Sequence, residues 1–210
     1  MIEDLLLNIY EFLSVIIPFL IVFGIFKVIY KRKRIEMTRG HFGLLFIFAV
    51  YIFGVFYFTG AGTIFDAWRY GLEAIMRQTN FIPFSSPGID IVAYLLNIIL
   101  FVPLGFLAPL IWPNLNKIKY AFLAWASFSL LIELSQLLNY RSTDVDDLLM
   151  NTFGAIIGYL LFRIFSRLTK RSDKVIALCK YEVVFYILAM FVGRFLTFNE
   201  FGLAKIIYGF

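Results

Sequence analysis

Six apolar runs of eighteen or more residues, separated by short polar turns, divide almost the whole chain: Leu5–Tyr30, Phe42–Thr59, Ile91–Ile111, Tyr120–Leu138, Leu148–Phe165 and Tyr181–Phe198. A hydrocarbon core about 30 Å thick is crossed by roughly 20 residues of helix. In lipid, backbone N–H and C=O groups must be satisfied inside the protein, so a segment of this kind spans as a helix. The composition agrees, with 61% apolar residues, 16% charged residues and a mean hydropathy of +0.86. These features predict an all-α, polytopic membrane protein forming a single domain over residues 1–210. It should have about six transmembrane helices.

Met1-Ile2-Glu3-Asp4 is acidic and precedes no small-residue cleavage site, so the first run reads as a retained span, with Pro18 as a candidate kink, rather than a signal peptide. Between the second and third runs, Gly60-Ala61-Gly62 breaks the apolar pattern, and Thr63 with Asp66 has the spacing of a helix start. From there Ile64, Phe65, Trp68, Leu72, Ile75 and Met76 share one helical face, while Asp66, Arg69, Glu73 and Arg77 share the other. That pattern suits one amphipathic helix lying in the extracytoplasmic membrane interface. Thr143 and Asp146 are spaced to cap the helix of the fifth span.

Fourteen of the nineteen Lys and Arg residues fall at the ends of spans one, three and five, including Lys31, Arg32, Lys33 and Arg34. The positive-inside rule then puts that face in the cytoplasm and both termini outside. Because the basic residues collect beside apolar runs and form no exposed stripe, the chain has no nucleic-acid partner signature, and membrane lipids are its expected surroundings. The lone Cys179 rules out an internal disulfide.

The polar residues that need explaining lie between Asn97 and Gly158, where Glu133, Gln136, Arg141, Asp144, Asp147 and Asn151 sit between two apolar segments. Polar groups there are costly unless paired, and ionisable ones mark functional sites. Glu133 and Gln136 are three apart, and Asp147, Asn151, Gly154 and Gly158 recur every three or four residues, so each set occupies one helical face. The two faces are expected to meet. Gly154 and Gly158 form a small-xxx-small pair that lets helices approach closely.

Asn80-Phe81-Ile82-Pro83-Phe84, the run Asn97-Ile98-Ile99-Leu100-Phe101-Val102-Pro103-Leu104-Gly105, and Glu133-Leu134-Ser135-Gln136 followed by Arg141, Asp144, Asp147, Asn151, Gly154 and Gly158 together resemble the VanZ-like membrane protein family over about residues 40–170. The resemblance implies a bacterial plasma-membrane protein of the cell envelope, linked through its family to resistance to the glycopeptide teicoplanin. It implies no reaction.

Chemically, Glu133, Asp144 and Asp147 with the amides of Asn80, Asn97, Gln136 and Asn151 are hard oxygen donors, which suit magnesium or calcium better than zinc or copper. No cofactor is specified, and no metal ligand set can be assigned. Arg141 matches a phosphate or carboxylate. The expected ligand site therefore comprises Asn80, Asn97, Glu133, Gln136, Arg141, Asp144, Asp147 and Asn151, binding an amphiphile such as a lipid-linked wall intermediate, a lipid headgroup or a lipoglycopeptide. An enzyme acting on a lipid would use Glu133 or Asp147 as general base. A proton- or ion-coupled transporter would use the same acids as a relay. A structural membrane protein would use them only to hold helices together. The topology predicts that alkaline phosphatase fused at the C-terminus is active; a fusion active only with a cytoplasmic reporter would overturn it.

Overall fold

The structure is a computed structural model that describes residues 2–35, 39–71, 79–80, 82–85, 91–139, 143–170 and 181–208. Each apolar run becomes a helix. In chain order these are α1 (Ile2–Arg32), α2 (Arg39–Thr59), α3 (Ile64–Tyr70), α4 (Ile91–Ile111), α5 (Ile118–Gln136), α6 (Val145–Leu168), α7 (Glu182–Thr197) and α8 (Glu200–Tyr208), with a 3-10 turn over Pro113–Asn116. Among the described residues five helical segments are long and apolar enough to cross a membrane, and α7 and α8, bent by 43° at Phe198-Asn199, reach that length and apolarity only as a pair, which makes six if the pair is one span. The all-α polytopic membrane fold expected from the sequence is the fold observed.

Helix ends follow local chemistry. Gly60, at a φ of 60°, ends α2, and the Ala61 N–H reaches back to the Phe56 carbonyl at 3.2 Å, the bond that closes a Schellman cap. Thr63 and Asp66 form a reciprocal capping box at the start of α3, as their spacing predicts. The amphipathic helix expected to reach Met76 is observed as Ile64–Tyr70; its remaining face residues, Leu72 to Arg77, lie outside the described residues. Within α3 the apolar side is outward, with Trp68 88% exposed beside the polar Asp66 and Arg69, which is the character of an interfacial segment. Pro18 does not end α1, which runs through it. Its ring packs where a Cβ on Gly193 of α7 would fall, 2.2 Å away.

The tightest seam joins α4 to α6. A Cβ on Gly105 would lie 1.8 Å from the Ala155 carbonyl oxygen, one on Gly154 would lie 2.2 Å from that of Ile98, and one on Gly158 would lie 1.9 Å from that of Val102. These glycines let two backbones touch. In lipid, where apolar side chains gain nothing by leaving solvent, such close packing is what drives helices together. On the other flank of α2, α1 and α7 form a second pair, packed through Phe19, Phe26 and Tyr186. The shared core between the two pairs holds Phe48, Phe56, Phe101, Trp112 and Phe128, all at most 3% exposed.

Since the spans alternate in direction, the end of α2, the start of α4, the end of α5 and the start of α6 gather at one membrane face, where the chain also forms a two-residue parallel ladder pairing Thr79 with Thr143 and Asn80 with Asp144. Replacing Gly105 by Ala should cost about 1–3 kcal/mol by overpacking backbone against backbone. A thermal-unfolding series in detergent checks this, with Gly43→Ala, whose Cβ would meet nothing, as the neutral control.

Candidate functional site

The polar cluster is built at the face where the ladder lies. Asp144 has extended backbone dihedrals and caps α6, its Oδ1 accepting from the Asp146 N–H at 2.9 Å. The spacing points to Thr143, whose side chain lies outside what the structure describes; the residue observed to cap α6 is Asp144. Glu133, in the last turn of α5 and 4% exposed, accepts from the Asp144 backbone N–H at 3.3 Å. Its carboxylate lies within electrostatic reach of Asp147 and Asp144. Asp147, in the first turn of α6, accepts from the Asn97 side-chain amide of α4 at 2.5 Å. The acids of α5 and α6 therefore do converge on one membrane face.

Asn80 belongs to the same cluster but works as a brace. Its amide N–H₂ lies 3.4 Å from both Asp144 carboxylate oxygens, while its carbonyl oxygen accepts from the Ile82 N–H at 3.2 Å and the Ser85 hydroxyl at 2.9 Å. Asn151 lies deeper in the bilayer, where its amide donates to Ser129 of α5 at 3.0 Å and its Oδ1 has no partner among the described residues. Gln136 turns away from the acids and donates to the Thr59 carbonyl at the end of α2 at 2.6 Å. It belongs to a junction in which Ser135 accepts from the Gly62 N–H and Asn139 donates to the Gly60 carbonyl. Arg141 lies outside the described residues. Among the described residues no three His, Cys, Asp or Glu side chains are placed to share a metal ion.

Sequence reasoning assigned Asp146 only a capping role and passed over Tyr94. Asp146 is fully buried, and its carboxylate accepts from the Tyr94 hydroxyl at 2.5 Å and from the Phe84 N–H at 2.9 Å. It thus pins the segment 82–85 and the first turn of α4 to the start of α6. The available signal was the middle acid in Asp144-Val145-Asp146-Asp147, which cannot share one helical face with both of its acidic neighbours. A second omission lies across the same face, where Arg194 and Glu11 form a buried ion pair at 2.8 Å between α7 and α1. Each is one of only two charges inside its apolar run, Glu11 with Lys27 and Arg194 with Glu182, and a charge so placed is itself a reason to look for a partner.

Removing the Tyr94 hydroxyl leaves a buried carboxylate short of one donor, so Tyr94→Phe should lower stability by about 1–3 kcal/mol. Thermal unfolding of the purified variant, with Tyr57→Phe as a control at an exposed position, measures it.

A family model described as VanZ/LLP1 matches residues 48–166, a stretch that runs from α2 to the last turn of α6 and contains every acid and amide of the cluster. No curated protein and no solved structure matches the chain. α1, α7 and α8 lie outside the matched stretch. With more than half of the chain covered, and with the matched helices forming one continuous seam around the polar cluster, the protein belongs to the VanZ/LLP1 family of membrane proteins.

Proposed function

We propose that the protein is a bacterial plasma-membrane protein of the cell envelope whose polar cluster faces outward and engages the headgroup of an amphiphile. The candidates are a lipid-linked wall intermediate, a lipid headgroup or a lipoglycopeptide, through which the protein would contribute to glycopeptide (teicoplanin) resistance. The observation that supports this reading is the approach of Glu133 on α5 to Asp147 on α6 at a helix junction of a membrane protein, with Asn97 and Asn80 beside them. Bringing acids together where water is scarce is expensive, and chains retain such arrangements where a polar visitor is handled. Arg141, three residues before Asp144, is the group assigned to a phosphate or carboxylate on that visitor.

A second reading is favoured by the unequal surroundings of the two acids, Glu133 being buried and Asp147 half-buried. Two acids in different environments are a pattern used for general acid–base chemistry. In that version Glu133 or Asp147 is the general base acting on a lipid, and Arg141 anchors its phosphate. Cluster residues that only bond to one another would instead give a purely structural network.

Glu133→Gln and Asp147→Asn keep shape while removing charge. Both variants should insert and unfold as the wild type does, yet lose the amphiphile that native mass spectrometry finds on the wild-type protein in mild detergent; Arg141→Ala should release it too. Retention unchanged in all three variants would refute the binding reading, and loss of folded protein in the two isosteric variants would favour the structural one.

A further inference from the structure

A cavity of about 380 Å³ opens at the same membrane face as the polar cluster but beside different elements, between the Gly60–Thr63 turn, α3, Asn139, the end of α7 and the start of α8. Its volume is that of a small ligand site. Arg194, 6% exposed, lines its inner part. The guanidinium Nε and Nη2 reach Glu11 Oε1 at 2.9 and 2.8 Å, and Nη1 donates to the Ala61 carbonyl. A guanidinium has five N–H donors. The second N–H on each Nη therefore has no acceptor among the described residues, although the side chain is more than nine-tenths buried.

The rim is acidic. Asp66 uses Oδ2 to accept from the backbone N–H and hydroxyl of Thr63, leaving Oδ1 without a donor among the described residues. Glu200, in the first turn of α8, is exposed and makes no hydrogen bond or ion pair with a described residue. Arg69 sits on the Phe201 ring at the same rim and offsets only part of that charge.

The order of these groups along the cavity follows from their exposure. Arg194 is 6% exposed at its inner end, whereas Asp66 is half-buried and Glu200 exposed at its mouth, near the exposed Trp68. A donor pair set deeper and carboxylates set further out match a headgroup whose phosphate lies nearer the acyl chains than its ammonium. We propose that this cavity binds the zwitterionic headgroup of a membrane phospholipid, the phosphate on the two spare Arg194 N–H groups and the primary ammonium on Glu200 and Asp66. Charge-assisted hydrogen bonds at both ends distinguish such a headgroup from an anionic one, which would meet the acidic rim with like charge. The site draws on α1, α7 and α8 and is separate from the acids of α5 and α6.

The test uses the full chain in nanodiscs containing phosphatidylethanolamine and phosphatidylglycerol in equal amounts, with retained lipid read by native mass spectrometry. Wild type should retain phosphatidylethanolamine preferentially. Glu200→Gln changes an exposed residue that makes no hydrogen bond with a described residue and should reduce that preference up to about fivefold, the upper range for one solvent-exposed charge pair. Asp66→Asn, which keeps an acceptor for the cap, should act in the same direction. Equal retention of the two lipids by wild type, or a preference unaltered in both variants, would overturn the proposal. Displacement of the retained lipid by an equal concentration of soluble phosphoethanolamine would overturn the membrane lipid as occupant. Because Arg141→Ala reports on the other cluster, an effect of that substitution alone leaves this site without support.

Discussion

The backbone contact between α4 and α6 is the constraint on which the rest of the molecule depends. Three glycines, Gly105, Gly154 and Gly158, remove the side chains that would separate two helices, and the carbonyls of Ala155, Ile98 and Val102 occupy the space. With that seam closed, Asn97, next to Ile98, reaches Asp147, and Tyr94, one turn earlier on α4, reaches Asp146. The seam thus sets the cluster's geometry before any of its own hydrogen bonds are considered.

α5 completes the arrangement from a different direction. Its last turn carries Glu133 toward α6 and Gln136 toward α2, so one helix end serves both the acid cluster and the junction with the Gly60–Gly62 turn. The junction is possible because Gly62 has no side chain where the Ser135 carbonyl approaches. The polar cluster and the Arg194 cavity are neighbours through this turn: Ala61 accepts from Arg194, and Asn139, which holds Gly60, also lines the cavity.

Much of this was legible from apolar lengths alone, because a segment in lipid has few alternatives to a helix. The meeting of Glu133 and Asp147 was legible from helical spacing and a short turn. Other features depended on information that spacing does not carry. Gln136 is three residues from Glu133, about 60° around the helix, and near a helix end that angle is enough to change its neighbour from α6 to α2. Thr143 and Asp144 are both residue types that cap helices, and spacing alone does not choose the N-cap of α6, which is observed as Asp144. The pairing of Glu11 with Arg194 joins residues almost at opposite ends of the chain. The bend at Phe198-Asn199 falls where the sixth apolar run ends, and hydropathy alone did not show that a further helix, α8, follows it.

Outside the family-matched stretch, α7 is fastened to α1 by polar contacts at each end: Glu182 accepts from the Tyr30 hydroxyl at 2.9 Å near the basic face, and Arg194 grips Glu11 near the other. With both ends tethered, these two helices can tilt or slide against each other only by breaking a desolvated polar bond, and because Arg194 also donates to the Ala61 carbonyl, the same guanidinium fastens the pair to the turn that ends α2.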